Sequence, residues 1–321
     1  MPELKLTVTE AAAATPQIKA ITLAAEGGGT LPSFTAGSHI KVQLPDGGER
    51  PYSLVNADPA PGATEDPDNY RLGVRLEEDS DGGSIYMHGL KVGDVLTAIG
   101  PENQFGVTDE ARPITLIAGG IGITPIISMA AELRARGQAF DFHYSGRSRD
   151  ALAFVAPLKA LCGDALTIHC DDEPDTAVDL AALVKYVPAD GHIYVCGPRG
   201  MIEAVRERAH EAGFDKAHVR FELFTRHDEQ VAGGAFEVEI SSTGQVFTIP
   251  PDKSIIEVLE DEGVDLIYDC QRGDCGICQT GVLEGIPDHR DVILTDDERA
   301  ANDVMQICVS RAKSDRLVLD L

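Results

Sequence analysis

The alternation of apolar and polar positions changes character twice along the chain, and each change predicts a different architecture. Up to about residue 108, short apolar runs are broken by turn residues and helical periodicity is weak. Strands are predicted over 4–10, 18–24, 39–44, 52–56, 70–76 and 94–99, with turns at Asp46-Gly47 and Gly93-Asp94. Short strands without long helices predict a small antiparallel barrel. From about residue 112, continuous apolar runs alternate with helical stretches. Ile114-Thr115-Leu116-Ile117-Ala118 reads as a buried parallel strand and leads into a helix ending near Arg136. Further strands are predicted at 139–145, 166–170, 192–196 and 218–223, which makes this part a doubly wound α/β sheet. The last third opens with alternation at Phe236–Ile240 and Gln245–Ile249 around Gly244, a hairpin. Ser254 and Glu257 form a capping box for a helix over 255–261, and strands follow near 279–284 and 315–320. The fold class expected is therefore multi-domain: an antiparallel β barrel, a parallel-sheet α/β domain and an α+β domain. Their expected extents are 1–108, 109–225 and 235–321, with a polar, glycine-ended linker at 226–234 that includes His227.

Several motifs sit where these elements end. Arg50-Pro51-Tyr52-Ser53-Leu54 offers a guanidinium, a ring and a hydroxyl on one strand, a set able to stack a ring system and hold a phosphate. Asp81-Gly82-Gly83-Ser84 precedes a short helix, where backbone N–H groups and glycines let an anion approach. Gly119-Gly120-Ile121-Gly122-Ile123-Thr124-Pro125 joins a strand to a helix, and so does Cys196-Gly197-Pro198-Arg199-Gly200-Met201. Two such loops on one sheet edge make a nucleotide crevice. Arg147 stands at the end of another strand, where a ribose or phosphate is within reach.

Composition narrows the function. The chain has 321 residues, 43% hydrophobic and 25% charged, enough for folded cores. A net charge of −26 repels nucleic acid and instead suits a basic partner protein. The N-terminus does not read as a signal peptide and no apolar run approaches a membrane span, so a cytoplasmic protein is expected. Of seven cysteines, Cys270, Cys275 and Cys278 follow a C-x4-C-x2-C spacing, with Cys308 further on. That is the plant-type [2Fe–2S] spacing. Structural zinc is the alternative, although its usual pattern has paired C-x2-C knuckles and only one is present. Cys162 and Cys170 read as packing residues. Asp288-His289-Arg290-Asp291 reads as a turn or partner contact, and Gln271–Asp274 as the face shown to a partner.

Taken together, the R-P-Y-S-L and G-G-S motifs, the two nucleotide loops and the terminal cysteine spacing resemble the phthalate dioxygenase reductase family. That group includes vanillate demethylase and carnitine monooxygenase reductases, and the resemblance covers essentially the whole chain. It implies FMN held by Arg50, Tyr52, Ser53, Val74, Arg75, Gly82, Gly83 and Ser84, with Thr124 beside the flavin and Phe224 covering it. It implies NADH at Gly119, Gly120, Gly122, Thr124, Pro125, Arg147, Asp171, Cys196, Gly197, Pro198 and Met201, and a ferredoxin domain of β-grasp order. Pro51 and Asp81 depart from residues common in the family. Asp171 and Asp172 close a strand where carboxylates accept ribose hydroxyls and repel a 2′-phosphate, which favours NADH over NADPH. The implied activity is a reductase delivering single electrons to the Rieske centre of a separate oxygenase, as a monomer and with no strictly required acid–base residue. Alternatives are a free-standing diaphorase or quinone reductase, a redox-sensing module, and the same enzyme with FAD.

Overall fold

The computed structural model describes residues 2–77, 82–224 and 233–321. Asp81 and linker residues 226–232, His227 among them, lie outside these. One compact unit runs to Glu222 and a second spans Leu223–Leu321.

In the first unit, β1 (Glu3–Ala13), β2 (Ile18–Ala25), β3 (His39–Gln43), β4 (Glu49–Ser53), β5 (Asn69–Arg75) and β6 (Val95–Glu102) form a sheet in the order β4-β3-β6-β1-β2-β5. Every pairing in it is antiparallel. A bridge from Leu54 to Leu72 links the β4 edge to the β5 edge and curls the sheet on itself. Leu6, Ile21, Leu23, Ile40 and Leu72 fill its interior. The strand predicted from residue 52 begins at Glu49 instead, so the R-P-Y-S motif is the strand itself. Pro51 is tolerated because β4 ends the sheet order, where a missing N–H donor breaks no central ladder. The strand predicted over 4–10 runs on to Ala13 through an irregularity between Val8 and Glu10. Helix α1 (Gly83–Gly89) follows β5 in the chain.

The second sheet of this unit is wholly parallel. It contains β7 (Ile114–Gly119), β8 (Phe140–Gly146), β9 (Leu166–Cys170), β10 (His192–Cys196) and β11 (Val219–Glu222), ordered β11-β10-β7-β8-β9. Helices α2 (Ile123–Ala135), α3 (Val155–Cys162), α4 (Leu180–Tyr186) and α5 (Arg199–Glu211) connect the strands. Successive strands are added on one side from β7 to β9 and on the other from β10 to β11, so β7 and β10 flank the topological switch point. The glycine loop and the Cys-Gly-Pro loop are their C-terminal continuations.

Helix α2 is fastened to the barrel. Ser128 Oγ donates to the Leu54 carbonyl and accepts from the Asn56 N–H, both at 2.8 Å. Glu132 accepts from the Ala36 N–H at 2.9 Å. Because α2 starts directly after the glycine loop, these bonds also fix that loop relative to the barrel.

The second unit is a mixed sheet of β12 (Phe236–Ile240), β13 (Val246–Ile249), β14 (Gln279–Glu284), β16 (Val304–Gln306) and β18 (Arg316–Leu319), ordered β13-β12-β18-β14-β16. A small pair, β15 (Pro287–Asp288) with β17 (Arg311–Ala312), stands apart from it. Helix α6 (Ile255–Asp261) has the predicted Ser254/Glu257 capping box. A second box, Thr295/Glu298, opens α7 (Asp296–Ala301), which the sequence reading missed. Arg311 is 2% exposed. It donates to the carbonyls of Lys253 (2.7 Å), Gly234 (2.9 Å) and Pro250 (2.8 Å), and its guanidinium lies over the Phe236 ring. Arg311→Met keeps the stem but leaves those carbonyls without a donor. A loss of about 3 kcal/mol is expected, read as a lower denaturation midpoint for the second unit.

Candidate functional site

The thiol loop runs through three left-handed residues, Gln271 (φ 52), Gly273 (φ 76) and Gly276 (φ 78). Glycine is obligatory at 273. A Cβ there would lie 2.6 Å from Val309 Cγ2 and 3.0 Å from Asp291 Cα. This winding brings Cys270, Cys275, Cys278 and Cys308 together as free thiols. Hydrogen bonds join Cys270 to Cys275 and Cys308, and Cys278 to Cys308. The bonds from Cys275 and then Cys308 drive the Cys270 thiol far below its ordinary range, while the bonds to Cys270 hold Cys275 and Cys308 above theirs. The Arg272 N–H donates to Cys270 Sγ at 3.3 Å. Converging sulfurs with an N–H aimed at one of them fit four-thiolate ligation. Cys278 and Cys308 are buried and Cys275 is exposed.

Two neighbours of the loop stand out, Gln306, which the sequence did not mark, and Asp291, which ends the Asp288–Asp291 motif. Gln306 is fully buried, with its Oε1 3.5 Å from Cys278 Sγ. Asp291 is 1% exposed and accepts from the N–H groups of Ile293 (3.0 Å) and Leu294 (2.8 Å), which stiffens the segment opposite Gly273. Along Gln271–Asp274, the face expected to meet a partner, Gln271, Arg272 and Asp274 are half-buried. Gly273 is buried and the Asp274 side chain is 5% exposed beside Arg272. Cys275 and Ile277 are the exposed residues of the loop, because the left-handed turns roll the first half inward.

In the first unit, a cleft of about 450 Å³ opens beyond the C-terminal ends of the parallel strands. Of the residues expected to bind a nucleotide, Gly119, Gly120, Arg147, Asp171, Pro198 and Met201 line it. Gly122, Thr124, Pro125 and Cys196 are buried beneath it and Gly197 is half-buried; none of the five is among its lining residues. The Cys196 side chain packs in the α/β core. These residues set the shape of the floor. A Cβ on Gly122 would lie 2.2 Å from the Cys196 carbonyl oxygen, and one on Gly119 would lie 2.7 Å from Pro198 Cδ. Glycine is thus what lets the two loops touch. Buried Tyr144 steadies them from below, donating to the Gly120 carbonyl and accepting from the Ala153 N–H, both at 3.1 Å. Burial pushes its phenol pKa up, which keeps it a neutral donor.

The two barrel motifs meet. The Arg50 stem and Tyr52 hydroxyl occupy the space a side chain at Gly83 would need, at 2.9 and 3.4 Å from its Cβ position. Burial raises the Tyr52 pKa to about 12, partly opposed by Arg50. Among the described residues no carboxylate pairs with Arg50, which donates only to the Glu49 carbonyl at 2.9 Å. An uncommitted cation, a protonated phenol and left-handed Gly82 (φ 97) fit a flavin phosphate and ring. Three of the expected residues have side chains that are buried or already engaged. Ser53 is buried and alternates to the other face of β4. Val74 is 2% exposed, with its side chain in the barrel core and its carbonyl 2.9 Å from His88 Nε2. Ser84 Oγ is engaged by the Glu77 backbone, at 3.0 Å from its N and 3.3 Å from its O. Arg75 lines the cleft. Thr124 turns its methyl toward β5, 2.8 Å from where a Gly73 Cβ would stand. Phe224, the second residue of the second unit, is exposed.

Comparison with known proteins places this geometry. Residues 116–207 match the oxidoreductase NAD-binding domain, and 238–313 match the 2Fe-2S iron-sulfur cluster binding domain. The second match decides between cluster and zinc. The chain is 41% identical to a vanillate O-demethylase oxidoreductase of Pseudomonas putida, over 91% of this chain and 92% of that protein. It is 40% identical to a tetrachlorobenzoquinone reductase of Sphingobium chlorophenolicum, over 99% and 98%. Among solved structures, phthalate dioxygenase reductase superposes with a TM-score of 0.68 at 34% identity, covering 99% of this chain and 98% of that one.

Proposed function

The chain belongs to the phthalate dioxygenase reductase family, and on that premise we propose that it is the reductase component of a Rieske-type aromatic oxygenase or O-demethylase system. It is an NADH-dependent iron–sulfur oxidoreductase whose cofactors are FMN and a [2Fe–2S] cluster. The observation that carries the reading is one chain holding both a nucleotide cleft at a sheet switch point and a four-thiol loop in a ferredoxin-like unit. The bound groups supply hydride acceptance, by the flavin, and one-electron transfer, by the cluster.

The chain's own residues hold and orient. Arg50, with Gly82 and Gly83, takes the flavin phosphate, and Tyr52 flanks the ring. Asp171 accepts ribose hydroxyls, and Arg147 meets the phosphates. Tyr144, Ser128 and the glycine contacts keep the nucleotide floor in register with the barrel, so a nicotinamide is presented in one orientation. Cys270, Cys275, Cys278 and Cys308 hold the two irons. The domain extents proposed are 1–108, 109–225 and 235–321. A cytoplasmic monomer is also part of the reading. The location is supported by seven free cysteines, which suit a reducing compartment.

The test is anaerobic addition of NADH to the purified protein, followed by mixing with an oxidised Rieske oxygenase. Bleaching of the visible flavin and cluster bands, then one-electron reduction of the oxygenase, is expected, and acid-released flavin should co-migrate with FMN. Failure of every Rieske oxygenase tested to accept electrons would sink the partner assignment. The relative named as a quinone reductase favours a second reading, direct reduction of a quinone. That reading expects quinone turnover to survive loss of the cluster. Arg50→Ala should weaken flavin retention by roughly tenfold or more, the worth of one charge-assisted phosphate contact, measured as flavin per chain after gel filtration.

A further inference from the structure

We infer that the β1–β2 turn of the barrel, Thr15–Ile18, is the second wall of the nucleotide site and that Gln17 contacts the phosphate-bearing part of the dinucleotide. The inference rests on reading the cleft as the NADH site. Open α/β sheets supply one side of such a crevice, the loops beyond their strand ends. Here those loops line one side of the cleft, while Thr15, Pro16, Gln17 and Ile18 line it from the barrel. Nothing in the sequence marked this turn, which reads as a plain connector between two strands.

The turn is built to hold its shape. Thr15 is 8% exposed, and its Oγ1 accepts from the N–H groups of Gln17 (3.3 Å) and Ile18 (2.9 Å). The N–H groups of Ala14 and Thr15 both reach the Ile18 carbonyl, at 2.8 and 3.1 Å. The Leu76 N–H donates to the Gln17 carbonyl at 2.8 Å, tying the turn to the chain just past Arg75, which lines the same cleft. At its base, Lys19 donates to the carbonyls of His88 (2.8 Å) and Leu90 (2.6 Å) at the end of α1. Pro16 fixes one more torsion. With the backbone of the turn held by its own bonds and by Leu76, the Gln17 amide is a side-chain polar group left over. It is exposed, and it makes no side-chain hydrogen bond among the described residues. An amide N–H suits a phosphate or ribose oxygen. A dinucleotide held this way bridges barrel and sheet, so its affinity depends on both.

The test is equilibrium titration of the oxidised holoprotein with NAD⁺, which binds without reducing it, for wild type, Gln17→Glu and Gln17→Arg. A unit charge near a doubly charged pyrophosphate in a water-like dielectric is worth about fivefold in affinity. The glutamate should weaken binding by about that factor and the arginine should tighten it, and both effects should shrink in 1 M salt, where the screening length falls to about 3 Å. Opposite signs are the signature, because damage to the turn alone would weaken both variants. Equal affinities, or equal weakening, would overturn the inference. Absence of NAD⁺ binding by the wild type would instead remove the NADH reading of the cleft, so the two failures are separable.

Discussion

Cys308→Ala is expected to yield a protein that still oxidises NADH with ferricyanide but no longer reduces a one-electron protein acceptor. Cys308 is 1% exposed and hydrogen-bonded within the thiol group, so the substitution removes one of four converging ligands from inside the core. Partners one shell further out are typically worth about 10–100-fold in metal affinity, so loss of a direct ligand should exceed that. Transfer to the oxygenase should fall by more than about a hundredfold, with the visible cluster bands absent and flavin content unchanged. The second unit should also melt at lower temperature, because metal binding free energy is folding free energy in small metal domains. Retained oxygenase reduction in a cluster-free variant would mean that electrons leave from the flavin, and the quinone-type reading would then take precedence.

The complementary lesion is Gly122→Ala. Its backbone, at φ −61 and ψ −5, is one that alanine adopts freely, so no conformational strain arises. The whole effect is steric, since the added Cβ would stand 2.2 Å from the Cys196 carbonyl oxygen and 2.8 Å from the Gly197 nitrogen. Neither atom belongs to a flexible side chain, so the glycine loop and the Cys-Gly-Pro loop must part. A misplacement of about 1 Å costs roughly a hundredfold when a reaction depends on alignment. NADH-dependent flavin reduction in stopped flow should slow by that factor, while flavin and iron contents stay at wild-type values. Overpacking adds about 1–3 kcal/mol of destabilisation to the first unit. Rapid reduction by NADH in this variant would show that contact between the two loops is not what aligns the nicotinamide.

Much of this architecture was legible in the chain because local rules carry it. Alternation located the barrel strands, continuous apolar runs located the parallel strands, and Ser254 with Glu257 marked the start of α6. The misses have physical causes. Strand β4 started earlier than read because its register is set by β3 across the ladder, not by its own composition. Helix α7 is six residues of mostly charged sequence with no apolar face to reveal it. Ser53 and Val74 have buried side chains, a feature their motif positions did not reveal. Cys196 stands in a nucleotide motif but points into the core, a distinction the letters alone do not make.

What the sequence by itself determined was the chemistry: four cysteines at a cluster spacing, two glycine loops after strands, and a guanidinium with a phenol two residues apart. Those depend on residue type and near-neighbour spacing, which a chain carries before it folds. What the tertiary structure decided was which groups meet. Gly83 faces Arg50 and Tyr52, Gly122 faces Cys196, and the Thr15–Ile18 turn comes to face the nucleotide loops across the cleft. The reason lies in strand pairing and sheet order, which bring together residues far apart in the chain and leave no local trace in it.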